Sequence, residues 1–212
     1  MSSMTNERPI RGRINAWLFG WLDGYMDRIV GATKRELFAA LPDEVVELGA
    51  GAGANLRYLR PGTRLRAVEP SRYMRARLAA RARALGIEVE LCGLVGEAID
   101  LPSASADAVV STLVLCTVPD PAAVLREVRR VLRPGGRFLC LEHVAAPRRS
   151  FIGWVQRAVK WPWHWFFEGC HTDRDLESVI RAAGFTAVEV DRLRVRTAFL
   201  PIRPQIRVVA VN

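Results

Sequence analysis

Apolar residues collect along the chain in short runs, divided by longer stretches where they recur every third or fourth position. The runs predict strands at 45–48, 64–68, 87–92, 107–112 and 137–142, and near 185–192 and 206–211. The stretches between them predict helices over 33–41, 54–60, 71–85 and 173–183, with another opening at Pro121. In that helix Val124, Leu125, Val128, Val131 and Leu132 share the inward face, and Arg126, Glu127, Arg129 and Arg130 the outward one. Pro121 suits a first helical turn, and Leu132-Arg133-Pro134-Gly135-Gly136 closes the helix. Gly86 is a good cap for the helix over 71–85. Strands and helices alternating in this order specify an α/β fold: a doubly wound seven-stranded sheet, helices on both faces, completed by an antiparallel last strand.

Two segments stand outside this alternation. Over 14–40, Trp17, Leu18, Trp21, Leu22, Tyr25 and Ile29 recur at helical spacing, with Gly20, Gly24 and Gly31 interrupting. Such a helical extension (1–41) ahead of the main domain (42–212) packs as a lid, touches a membrane surface, or simply joins the core. Around 148–172 lie Phe151, Trp154, Trp161, Trp163, Trp165, Phe166 and Phe167, with His164 and Cys170 among them. That density of rings suits an apolar, aromatic-walled pocket for a lipophilic molecule, or a helix packed on the sheet.

Composition narrows the setting. The chain has 212 residues, half of them hydrophobic, which is ample for one domain with additions. No apolar run approaches the ~20 residues that span a bilayer, and Met1 to Arg13 is polar and basic, unlike a signal peptide. Cys92, Cys116, Cys140 and Cys170 have no metal-ligand spacing, so reduced thiols, no metal and a cytoplasmic location are expected. The formal charge is +9. Arg72, Arg75, Arg77, Arg81 and Arg83, however, lie opposite Met74, Leu78, Ala82 and Leu85, the pattern of a solvated helix face rather than a nucleic-acid site.

The chemistry centres on Glu47-Leu48-Gly49-Ala50-Gly51-Ala52-Gly53-Ala54-Asn55. A strand that breaks through alternate glycines can turn tightly and approach a ligand closely, and exposed amides beyond it favour an anionic group. A dinucleotide site of an NAD oxidoreductase expects the glycines spaced G-x-G-x-x-G, and this loop does not match. Glu69, about 20 residues on at the end of the second strand, stands where a Rossmann-like site places the acid that accepts both ribose hydroxyls.

E-x-G-x-G-x-G after a strand resembles motif I of class I S-adenosylmethionine-dependent methyltransferases, a Rossmann-like family. Gly96-Glu97-Ala98-Ile99-Asp100-Leu101-Pro102 and Glu127-Val128-Arg129-Arg130-Val131-Leu132-Arg133-Pro134-Gly135-Gly136 resemble two further signatures of that superfamily. The resemblance implies S-adenosylmethionine as cofactor. It puts Glu47 beside the methionine end, with Gly49, Ala50, Gly51, Gly53 and Asn55 around the methionine and ribose. Glu69 and Pro70 would meet the ribose, Glu97 and Ala98 the adenine, and Thr112, Leu113 and Cys116 the region of methyl transfer.

Lys34-Arg35-Glu36-Leu37-Phe38, Gly53-Ala54-Asn55, Thr112-Leu113-Val114-Leu115-Cys116, Glu142-His143-Val144 and Gly169-Cys170 are similar, in that order, to the thiol S-methyltransferases of the methyltransferase-like seven group. Two features depart from the mammalian members, which carry an apolar N-terminal anchor and a GC-x-L-T-R-E stretch that reads Gly169-Cys170-His171-Thr172-Asp173-Arg174-Asp175 here. The resemblance implies a small lipophilic thiol as acceptor, with an amine, a hydroxyl or a phospholipid head group as alternatives. His143 and His171, then His164, are the candidates to help a thiol ionise. Trp21, Tyr25, Trp161, His164 and Phe167 are candidates for the acceptor pocket. A monomer or dimer is expected, with peripheral membrane contact left open. A non-catalytic protein of this fold that binds membranes or a partner is the competing class.

Overall fold

The computed structural model describes residues 9–212 except Leu94 and Glu168, with side chains from Leu22 onward. The seven strands are β1 (Glu44–Leu48), β2 (Arg64–Val68), β3 (Glu88–Gly93), β4 (Ala106–Thr112), β5 (Leu132–His143), β6 (Ala187–Arg194) and β7 (Pro204–Val211). They form one sheet in the order β3-β2-β1-β4-β5-β7-β6. All ladders are parallel except those of β7, which runs antiparallel to both β5 and β6. The doubly wound sheet with an antiparallel last strand is therefore the fold observed.

Helices cover both faces. On one, α1 (Pro9–Phe38) and α2 (Arg72–Ala84) bury Val30, Leu37, Phe38, Leu78 and Ala82 against Val45, Leu65 and Leu139. On the other, α3 (Pro121–Val131) and α5 (Leu176–Ala182) bury Val124, Leu125, Val128, Val131, Leu176 and Ile180 against Val46, Val109, Phe138 and Val208. The periodicity of α3 reappears in full as burial, and Asp120 caps the helix by accepting from the amides of Ala122 and Ala123 at 2.9 and 3.0 Å.

Several local expectations shift. The helix over 54–60 is a single 3-10 turn, Leu56–Tyr58. Leu85 is 39% exposed, because α2 ends at Ala84 and the chain leaves the periodic face there. The Pro-Gly-Gly turn lies inside β5: pairing with β4 jumps from Leu132 to Arg137, so 133–136 loop out of the ladder. The N-terminal glycines do not interrupt α1. At Gly31 a Cβ would stand 2.7 Å from Asp27 Oδ1 and 3.3 Å from the Tyr58 hydroxyl, so glycine lets α1 sit close to the 3-10 turn.

The aromatic segment forms α4 (Phe151–Phe166). Polar bonds pin it from below. Gln156 accepts from the Ala146 amide at 2.8 Å and donates to the carbonyls of Val144 and Pro201 at 3.0 and 2.9 Å. No helix among the described residues is long and apolar enough to cross a membrane.

Candidate active site

A cavity of about 670 Å³ opens beyond the carboxyl ends of β1, β2, β4 and β5. Strand order reverses between β1 and β4, and such a switch point leaves a crevice there. Leu22, Asp23, Met26, Asp27 and Lys34 of α1 form one wall.

The glycine loop forms the cavity edge. Gly49 and Gly51 adopt φ of 57° and 56°, a region that costs other residues energy. The Gly51 amide donates to Glu69 Oε2 at 2.7 Å, and the Ser71 amide donates to Oε1 at 2.8 Å. The acid at the end of β2 is thus fixed by the loop it faces. A Cβ on Gly51 would meet nothing nearer than 3.9 Å, so the loop leaves open space on the cavity side.

Behind the loop lies a buried polar relay. Lys34 Nζ donates to Asn55 Oδ1 at 2.8 Å. Asn55 Nδ2 donates to Glu47 Oε1 at 2.6 Å and to Thr112 Oγ1 at 2.9 Å. Glu47 Oε2 is buried and has no hydrogen-bond partner. Burial pushes the Glu47 carboxyl up to about 7, against the hydrogen bond from Asn55 and the nearby Lys34 charge. Burial also lowers the Lys34 ammonium. An orphaned carboxylate oxygen on a cavity wall suits a cationic ligand group. Glu97 Oε1, also on this wall, is likewise buried without a partner.

The far end is apolar and aromatic. Trp163 and Phe167 rings lie 4.2 Å apart between centroids, with Phe199 edge-on to them at 6.1 and 6.3 Å. Three groups interrupt this wall. His143 Nε2 is 3.0 Å from Cys170 Sγ, which also accepts from Trp163 Nε1 at 3.2 Å and lies 3.8 Å from Cys116 Sγ. The Cys116 thiol beside it holds Cys170 well below the usual thiol range, at about 4, and Cys116 is raised in turn. Glu142, beneath, accepts from Ser111 Oγ and from the amides of Val114 and Leu115 at 2.9–3.1 Å, bracing the β4 exit loop. In that loop Leu113 is held at φ 58°, strain that the bracing maintains.

The expected site residues divide accordingly. Glu47, Gly49, Ala50, Gly51, Asn55, Glu69, Pro70, Glu97, Thr112, Leu113, Cys116, His143 and Phe167 all line this one cavity. Gly53 does not: a Cβ there would lie 2.5 Å from Leu56 Cδ1, so this glycine answers to core packing. Ala98 does not either, because its amide closes a turn onto Val95 O at 3.2 Å. Tyr25 is turned away, its hydroxyl bonded to Thr197 Oγ1 at 3.0 Å and to the Ala198 amide at 2.9 Å. His164 and His171 pack on each other at 4.6 Å behind the wall, where burial lowers the His171 imidazole. Trp161 is 77% exposed and off the wall. The Trp21 side chain lies outside the described residues.

The arginine face of α2 is not wholly solvated, for Arg77 and Arg81 reach the cavity mouth and Arg81 pairs with Asp23 at 2.7 Å. Lys34, Trp163 and Cys170 are wall residues that pattern reading did not single out as site groups. Their signal was present only as a helical-face position and as one ring and one thiol among several.

A family model described as a methyltransferase domain matches residues 46–140. Thiol S-methyltransferase TMT1B of Rattus norvegicus is 35% identical over 216 residues, covering 97% of this chain and 88% of its own. Thiol S-methyltransferase TMT1A of Homo sapiens is 32% identical, covering 86% and 80%. A solved SAM-dependent methyltransferase from Thermotoga maritima superposes with a TM-score of 0.67 at 22% identity, covering 95% of this chain and 98% of that one. With the motif I geometry, the fold and these relatives together, the chain belongs to the class I S-adenosylmethionine-dependent methyltransferases, and S-adenosylmethionine is its cofactor.

Proposed function

We propose that the enzyme methylates the sulfur of a small, lipophilic thiol, a reaction suited to detoxification or self-protection. The observation that carries this reading is the far end of the cavity, where Trp163, Phe167, Phe199 and Ile202 make an apolar wall broken by the sulfur and imidazole groups of Cys116, Cys170 and His143. The names of the curated relatives support the same acceptor. A phenol or amine acceptor would gain little from two sulfurs at that point.

When bound, S-adenosylmethionine supplies an electrophilic methyl on a sulfonium sulfur. The chain's part is placement and exclusion of water. Glu47 Oε2 is the acceptor for a cationic ammonium, with Asn55 and Lys34 fixing its rotamer. Glu69, oriented by the Gly51 and Ser71 amides, meets the ribose hydroxyls. Glu97 Oε1 accepts from the adenine amine. The part of α1 from Leu22 to Lys34, which forms one cavity wall, serves as a lid. A thiol must ionise before it attacks, and His143 is the histidine of the three that lies on the cavity wall.

The test is a turnover series of alkyl thiols of rising chain length, with calorimetry for S-adenosylmethionine and S-adenosylhomocysteine. KM should fall as the chain lengthens, since each buried methylene adds about 0.8 kcal/mol. Cofactor binding with turnover of phenols or amines alone would overturn the thiol assignment.

A further inference from the structure

Spacing along the sequence hides one cluster. Cys116 Sγ, a ring nitrogen of His143 and Cys170 Sγ come within 4.8 Å of one another, and all three residues are buried. They arrive from the β4 exit loop, the end of β5 and the segment after α4. We propose that Cys116, His143 and Cys170 bind one zinc ion, whose fourth position faces the cavity and takes the acceptor's sulfur.

The donor set is that of a Cys₂His face, and the three atoms lie close to the spacing it needs. Zinc–sulfur bonds of about 2.3 Å set two sulfurs about 3.8 Å apart, and a sulfur and a nitrogen about 3.5 Å apart. Here the two sulfurs lie 3.8 Å apart, His143 Nε2 lies 3.0 Å from Cys170, and the His143 nitrogen and Cys116 Sγ lie within 4.8 Å of each other, so the ion seats once the imidazole moves off Cys170 by about half an ångström and toward Cys116. Two thiolates and an imidazole are soft donors that select zinc over magnesium or calcium. All three residues line the cavity. Three protein ligands with an open position are the pattern of a catalytic zinc rather than a structural one. Outer partners flank the sulfurs: Trp163 Nε1 donates to Cys170 Sγ at 3.2 Å, and Arg174 stands near both sulfurs while donating to Leu115 O at 3.0 Å, whereas His143 Nδ1 is buried without a partner.

The chemistry balances. Zinc binding releases the thiol protons of the two cysteines to solvent, and the resulting thiolates neutralise the ion. An acceptor thiol bound at the fourth position forms a zinc–sulfur bond and releases its proton to solvent. Its sulfur lone pair then forms the bond to the methyl carbon as the sulfonium carbon–sulfur bond breaks. The products are a neutral thioether, a weak ligand that leaves, and S-adenosylhomocysteine. The acceptor step rests on the thiol assignment above, with His143 helping the thiol ionise as a zinc ligand rather than as a proton acceptor, whereas the ion site does not.

The test is titration of reduced, metal-stripped protein with Zn²⁺ and, separately, Co²⁺. Expected are one ion per chain and intense thiolate-to-cobalt absorption in the near ultraviolet. Cys116→Ser and Cys170→Ser should each weaken Zn²⁺ binding at least 100-fold. Cys140→Ala, a buried free thiol outside the cluster, should leave it unchanged. If either serine variant fails to fold, His143→Gln serves instead, removing the nitrogen donor and altering the cobalt spectrum. Absence of the thiolate band, or affinity indifferent to all three variants, overturns the site. Full thiol turnover by stripped protein would overturn the acceptor role while leaving the proposed function standing. Stoichiometric Zn²⁺ binding without turnover of any thiol would uphold the ion site and reject the thiol assignment.

Discussion

Glu47→Gln separates two effects that the buried carboxyl ties together. The amide keeps an oxygen for Asn55 Nδ2, which now bonds Glu47 Oε1 at 2.6 Å, but removes the charge and the acceptor at the orphaned Oε2. A hydrogen bond to a charged group contributes about 1.5–3 kcal/mol. Affinity for S-adenosylmethionine should therefore fall by about 10–150-fold. Stability of the ligand-free enzyme should move the other way. Burial raises this carboxyl from 4.5 to about 7, which corresponds to about 3 kcal/mol. Below pH 4.5 both folded and unfolded chains hold the proton. Between 4.5 and about 7 the folded chain keeps a proton the unfolded chain has lost, so this stability drains away as pH rises through that window.

The glutamine variant should lose none of it and be the more stable protein above pH 7. Cofactor binding to the wild type should strengthen from pH 5.5 to 7 as Glu47 ionises, and the variant should lack that rise. Calorimetry across pH, with urea melts of the free protein, measures both halves. An unchanged cofactor affinity, or an affinity rise with pH that survives in the variant, would refute the reasoning.

Other outcomes follow from the same geometry. Lys34→Met leaves Asn55 Oδ1 without its 2.8 Å donor and takes a cation from beside Glu47, so the pH midpoint for cofactor binding should rise, as calorimetry would register. Phe167→Ala should raise KM for lipophilic acceptors several-fold, whereas Trp161→Ala, at an exposed position, should leave KM and kcat alone. Glu142→Ala strips the acceptor from two loop amides and Ser111; at about 1–3 kcal/mol for each buried donor left unpaired, a urea melt should show a loss of several kcal/mol. Gly53→Ala meets Leu56 at 2.5 Å with φ at 81° and should cost about 1–3 kcal/mol of stability, with little direct effect on cofactor contacts.

The centre of the sheet was legible because β1, β4 and the end of β5 are buried, nearly unbroken apolar runs, while the edge strands β3 and β6 are mostly exposed, alternate with charged residues and are marked by the turns at Gly86 and Gly184 before them. The cofactor half of the site was legible for a related reason: its residues sit at strand ends, where position along the chain fixes position in space. The acceptor half was not. Trp161 and Trp163 are two residues apart on α4, which at 3.6 residues per turn sends them to opposite sides; composition alone could not choose between them. Glycine spacing likewise did not reveal that Gly53 faces Leu56 and Leu78 instead of the cavity. Cys116, His143 and Cys170 lack any local ligand spacing, since only the folded β4, β5 and α4 ends bring them together. Lys34 read as one more charge on a helix; its burial follows from how α1 lies across the loop after β1.

The most direct measurement is a competition among three matched acceptors that share one lipophilic body and differ only in carrying a thiol, a hydroxyl or an amine. With isotopically labelled methyl on S-adenosylmethionine, mass spectrometry of the products reads the choice in one reaction. The predicted result is label in the thioether, with the other two acceptors nearly unreacted. Label in the ether or the methylated amine, with the thiol left unmethylated, would contradict thiol S-methylation.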